Sequence, residues 1–166
     1  MRHVPPCNGH QNSVAAMRVP HAPKAKSSAV AAAMRGNRSL NTRPEMRVRR
    51  LLFQMGYRYR LHRRDVPGRP DICFVSRRKV IFVNGCFWHQ HSTSNCPLMT
   101  RPRTNVGYWS AKLQRNVERD ASNRILLRSQ GWRDLTVWEC ETKDSRLKQR
   151  LRRFLGNPKT EPNRSE

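Results

Sequence analysis

Cys86, His91 and Cys96 stand with four residues between each neighbouring pair. Thiolate and imidazole donors suit a tetrahedral Zn²⁺. A closed site takes a fourth ligand, and Cys140 in the run Trp-Glu-Cys is the distant candidate; its ordinary alternative is a packed core thiol. His89 lies between Cys86 and His91. A neutral imidazole can take a proton from attacking water near physiological pH. Spacing alone leaves open which of His89 and His91 would hold metal and which would be free. Cys73 sits within an expected strand and Cys7 near the N-terminus; both read as non-ligands.

Asp71 occurs in Pro-Gly-Arg-Pro-Asp-Ile, a turn that opens a strand. A carboxylate there can hold Mg²⁺ through oxygen, and such an ion polarises a phosphodiester and activates water. Turn initiation is the plainer role. Many nucleases with this element order carry Glu-x-Lys on the next strand, but here that strand ends Phe82-Val83-Asn84. The rest of any metal chemistry must come from elsewhere. Glu45, on the first helix, is the candidate for orienting metal-bound water, and it also fits a capping box.

Phe87 and Trp88 are adjacent aromatics in a polar loop. They read either as anchors packed on the sheet or as a wedge pushed between base pairs. A mismatch is already weakly stacked, so a wedge would favour it. Lys112, Arg115, Asn116 and Arg119 fall on one helical face, either a solvated stripe or a track for a phosphate backbone.

Across 166 residues, 34 Lys and Arg oppose 11 Asp and Glu, a formal charge of +23. The N-terminal segment holds few of these basic residues, so the excess belongs mainly to the rest of the chain. Such a field attracts a polyanion, nucleic acid before all others. No long apolar run or lipidation signal supports a membrane reading. Five widely spaced cysteines do not form a disulfide framework, and a reducing cytoplasm is expected.

These groups must be positioned by a small domain. Residues 1–41 read as a basic, mostly disordered tail, with a short helical turn at 29–34; residues 42–156 form the domain and 157–166 a disordered end. Thr42, Pro44 and Glu45 start a helix whose apolar face is Val48, Leu51, Leu52 and Met55, with Gly56 as its stop. Strands are expected over 57–63, 71–75, 80–83 and 132–138, and helices over 106–130, where Trp109, Leu113, Val117 and Ile125 fall at roughly helical intervals, and over 145–155. Residues 84–105 make a long loop. The order predicts an α/β sandwich with a central mixed sheet flanked by helices.

The runs Asn-Thr-Arg-Pro-Glu at 41–45, Pro-Gly-Arg-Pro-Asp-Ile at 67–72, Val-Asn-Gly-Cys-Phe-Trp-His-Gln-His at 83–91, and those at 109–120 and 131–141 together resemble the very short patch repair (Vsr) endonucleases. The resemblance covers about Met34 to Leu155. It implies a restriction-endonuclease-like fold and nicking 5′ of the thymine in a T·G mismatch that arises when 5-methylcytosine deaminates. It implies Mg²⁺ held by Asp71 and the backbone carbonyl of Val83, His89 as the catalytic histidine, and Glu45 as a supporting acid. It implies structural Zn²⁺ on Cys86, His91, Cys96 and Cys140. Phe87 and Trp88 match an intercalating pair, and Met34 a residue that inserts from the minor groove; Lys112, Asn116 and Arg119 are expected to contact DNA. Expected partners are T·G-mismatched duplex DNA, mismatch-repair proteins and a cytosine-5 methyltransferase system. The expected state is a cytoplasmic, nucleoid-associated monomer. Two departures stand out: Asn84 occupies a position where the family has a histidine, and the stretch from His91 to Cys96 is longer than in some relatives. Rival readings are a site- or modification-specific nuclease and an inactive zinc-stabilised DNA-binding module.

Overall fold

The computed structural model describes residues 20–24, 27, 28, 32, 40–93 and 95–158. The expected tail and its helical turn at 29–34 lie almost wholly outside them, as does Met34.

Helix α1 spans Arg43–Gln54. Thr42 caps it, its Oγ1 accepting from the Glu45 amide at 3.4 Å, while the Glu45 carboxylate accepts from the Asn41 amide at 3.0 Å. Two orphan amides are thereby satisfied. Strands β1 (Arg60–Leu61), β2 (Ile72–Phe74), β3 (Lys79–Asn84) and β4 (Arg133–Trp138) form one sheet in that order. β1 and β2 pair antiparallel, as do β2 and β3; β3 and β4 run parallel. Helix α2 (Val106–Ser129) connects the parallel pair, and α3 (Leu147–Leu155) ends the domain.

Side chains alternate across the sheet, as the pleat requires. Ile72, Phe74, Ile81, Val83 and Val137 meet Val48 and Leu52 of α1 and Leu147, Leu151 and Leu155 of α3. Cys73 and Val80 turn to the other face, under Leu127 of α2. Each fully buried aliphatic side chain contributes about 1.5–3 kcal/mol. The mixed sheet flanked by helices therefore stands as expected.

Three local expectations need correction. The strand expected over 57–63 shrinks to Arg60–Leu61, both exposed. Tyr57 and Tyr59 instead anchor through their hydroxyls, to the Gly156 carbonyl at 2.5 Å and the Arg49 carbonyl at 3.0 Å, and His62 at φ 44° ends the extended run. The strand expected to reach Val75 stops at Phe74, where a 3₁₀ turn, Val75–Arg77, and left-handed Arg78 lead into β3. In α2 the expected apolar row fails at Ile125, 71% exposed; only Leu113 and Leu127 are buried.

Candidate active site and thiol cluster

An open cleft of about 1310 Å³ lies where the N-terminus of α1, the 67–71 turn, the end of β3 and the middle of α2 meet. Asp71, Glu45, Val83, Asn84 and His89 all line it. The Pro-Gly-Arg-Pro turn is pressed against α2: a Cβ at Gly68 would meet Asn123 Cβ at 3.1 Å, and φ there is +76°. Glycine permits both the approach and the dihedral. That contact brings the residue after the turn, Asp71, to the cleft floor.

Asp71 Oδ2 accepts from the Val83 amide at 2.7 Å. Burial pushes its carboxyl up to about 6, with the Glu45 charge adding to the rise; the Val83 amide, Arg49 and His89 pull the other way. A carboxylate this costly to ionise fits a site that takes a cation. The oxygen donors nearby, the Glu45 carboxylate and Val83 backbone, are hard ligands of the kind a divalent ion such as Mg²⁺ prefers. Glu45 is 3% exposed, and its Oε2 meets Arg49 Nη2 at 2.8 Å. Arg49 also donates to Asn41 Oδ1 at 2.6 Å and faces His62 Nε2 at 2.7 Å. Glu45 thus serves both the cap and the cleft, with its charge matched by a buried guanidinium.

His89 is held from two sides. Its amide donates to the Gly85 carbonyl at 3.2 Å, and its Nδ1 is hydrogen-bonded to Asp120 Oδ2 from α2. Burial acts upward on the Asp120 carboxyl, but the bond to His89 and the charges of His89, Arg119 and Arg124 outweigh it and leave it below the ordinary range. An ionised Asp120 fixes the ring and leaves Nε2 as the nitrogen available for proton transfer. From the sequence alone Asp120 has no place in the site. The signal was present: an acid four residues after Asn116, on a mostly basic face.

Two residues beyond β3, at Cys86, the chain enters the thiol cluster. One donor atom from each of Cys86, His91, Cys96 and Cys140 lies within 4.8 Å of all the others. Cys86 and His91 are buried, Cys96 and Cys140 half-buried. Burial pushes the Cys86 thiol up to about 12; at Cys96 burial also acts upward, yet hydrogen bonds from His91, the Leu98 backbone and the other thiols bring it to about 7. Three soft sulfurs and one imidazole at this separation fit a tetrahedral soft-metal site. Cys73 is buried in the core, and Cys7 lies outside the described residues.

Phe87 and Trp88, between the cluster and His89, pack edge-on at 5.1 Å. Trp109 of α2 joins them, 5.6 Å from Phe87 and 5.9 Å from Trp88. Trp109, expected only at helical spacing with Leu113, Val117 and Ile125, belongs to this aromatic group. Asn116 Nδ2 donates to the Trp88 carbonyl at 3.0 Å, and Lys112 Nζ lies 5.6 Å from the Trp88 ring and 5.5 Å from that of Trp109. Asn116 and Arg119 also line the cleft. The structure thus brings every described candidate residue except Arg115 to one cleft, the Cys/His cluster or the aromatic group between them.

A carboxylate floor, an oriented imidazole and a basic wall suit a site that hydrolyses a phosphodiester. A family model described as DNA mismatch endonuclease Vsr matches residues 22–95. The chain is 50% identical over 119 residues to the type II nicking enzyme V.XorIIP of Xanthomonas oryzae pv. oryzae, covering 71% of this chain and 85% of that one. It is 38% identical over 128 residues to the DNA mismatch endonuclease Vsr of Escherichia coli, covering 74% and 80%. The chain belongs to the Vsr endonuclease family. The catalytic domain of the homing endonuclease I-Bth0305I shows a TM-score of 0.48 at 25% identity, covering 69% of this chain and 94% of that one. No described helix is long and apolar enough to cross a membrane.

Proposed function

We propose that this protein nicks one strand of duplex DNA on the 5′ side of the thymine in a T·G mismatch left by deamination of 5-methylcytosine, and so starts very short patch repair. The observation that carries this reading is the juxtaposition of Phe87, Trp88 and Trp109 with the Asp71–His89 cleft. The aromatic group enters the stack at the weakest base pair, where unstacking costs least. The cleft then receives the adjacent phosphodiester.

Asp71 and the Val83 carbonyl would hold Mg²⁺, which supplies Lewis-acid stabilisation of charge on the phosphate and the leaving oxygen. His89 takes the proton of the attacking water at Nε2. Asp120 holds the ring at Nδ1 and stabilises the imidazolium that results. Glu45, fixed by Arg49 and the α1 cap, orients water at the cleft mouth. Lys112, Asn116 and Arg119 engage the DNA backbone, and Met34, outside the described residues, would meet the opposite groove. Zn²⁺ on Cys86, His91, Cys96 and Cys140 would hold the loop that presents the aromatics. Residues 42–156 form the nuclease unit of a cytoplasmic monomer that cooperates with mismatch-repair proteins and a cytosine-5 methyltransferase.

The test is nicking of a labelled T·G duplex with Mg²⁺, beside matched and methylated duplexes, for the wild type and Asp71→Ala. Nicking 5′ of the mismatched thymine, lost in the variant, is expected. Equal cutting of matched duplex would move the protein to site-specific nicking in place of mismatch repair. Mismatch binding without nicking would leave a DNA-binding module.

A further inference from the structure

His91 is the one imidazole in the cluster, and both of its ring nitrogens have partners. Nδ1 faces Cys140 Sγ at 3.5 Å, and Nε2 meets Thr93 Oγ1 at 3.0 Å. The ring lies on Trp138, with centroids 4.2 Å apart and planes at 17°. Its plane is therefore set by stacking, and its rotation within that plane by the two nitrogen contacts.

A histidine that binds metal offers a lone pair on one nitrogen and carries its proton on the other. With Nδ1 turned to the sulfurs, the proton belongs on Nε2, where Thr93 Oγ1 can accept it. We propose that Thr93 is a positioning residue of the metal cluster, fixing His91 as an Nδ1 ligand by accepting the Nε2 proton in a hydrogen bond. The inference rests on the reading of the four-residue cluster as a zinc site. Thr93 lies in the stretch between His91 and Cys96. That stretch thus does more than span the gap between two ligands: it supplies the outer hydrogen bond that orients one of them. Partners of this kind hold a ring in its ligating orientation and raise its basicity, and losing one typically costs 10–100-fold in metal affinity. Thr93 is exposed, so its replacement leaves the packed core intact.

The test compares zinc release from the full chain, loaded with one equivalent of Zn²⁺, to a colorimetric chelator. Thr93→Val keeps the side-chain shape and removes the acceptor; Thr93→Ser keeps the acceptor. Release from Thr93→Val about 10–100-fold faster than from the wild type, with Thr93→Ser close to the wild type, is expected. Long-range ¹⁵N–¹H spectra of the wild type should show His91 protonated at Nε2 and metal-bound at Nδ1. Wild-type release from Thr93→Val, or binding through Nε2, overturns the role of Thr93 while leaving the zinc site standing. A wild-type chain that takes up no zinc overturns the zinc reading and this inference together.

Discussion

The thiol cluster and the Asp71 cleft meet along the chain where Gly85 of the cleft adjoins Cys86 of the cluster, yet they hold their donors in opposite ways. In the cluster, three sulfurs and an imidazole face one another, and the Trp138 stack closes one side. In the cleft, oxygen donors line an open space, and burial keeps the Asp71 carboxyl at about 6. The first arrangement satisfies its own groups once one ion is present; the second leaves room for a phosphate. A structural metal wants every position filled by protein, while a catalytic one needs positions left open. The segment from Val83 to His91 joins the two, so the closed site can hold in place the parts of the open one.

That contrast is sharpest in the effect of single changes. His89→Ala should reduce single-turnover nicking of T·G duplex by about 10³-fold, the middle of the range for general-base loss, while zinc content measured on the same preparation stays at one equivalent. If zinc falls with activity, the two regions are not separable. Asp120→Asn keeps the shape but removes the charge that holds His89, and should lower the same rate by about 10²-fold. A loss confined to affinity for DNA would show that Asp120 does not act through His89. Trp109→Ala should reduce the preference for mismatched over matched duplex by about tenfold, or about 1.4 kcal/mol, toward the lower end of the about 1–3 kcal/mol typical of a stacking side chain, read by competition binding; an unchanged preference would leave Trp109 a packing residue. The smallest effect concerns stability. Without added Mg²⁺ at neutral pH, Asp71→Asn should raise the thermal midpoint, because the variant removes a buried charge, by about 1–2 kcal/mol of stability. A lower midpoint would show that the Asp71 charge supports the fold as well as the chemistry.

What the sequence made legible was local or chemically distinctive. Thr42, Pro44, Glu45 and Gly56 mark both ends of α1 within a few residues. Cys140 stood out despite its distance, because a third thiol completes a soft-donor set. The non-local features were hidden. The partner of Asp120 lies 31 residues earlier, so the pair forms only where α2 packs against the loop after β3. Tyr57 and Tyr59 looked like strand residues until their hydroxyls were seen to bind carbonyls of Gly156 and Arg49. In α2, charge covers most of the surface and only Leu113 and Leu127 reach the core, so a spacing rule that assumes one broad apolar stripe selected Ile125 wrongly.

Helix α2 carries Trp109 near one end and Asp120 eleven residues on, with Asn116 gripping the Trp88 carbonyl between them. At the rise of an α-helix that interval is about 16 Å. The place where a base pair would be prised open and the place where the strand would be cut are thus marks on one stiff ruler. Weakening the aromatic end should change how often the enzyme engages a site, but the offset between lesion and cut should remain constant.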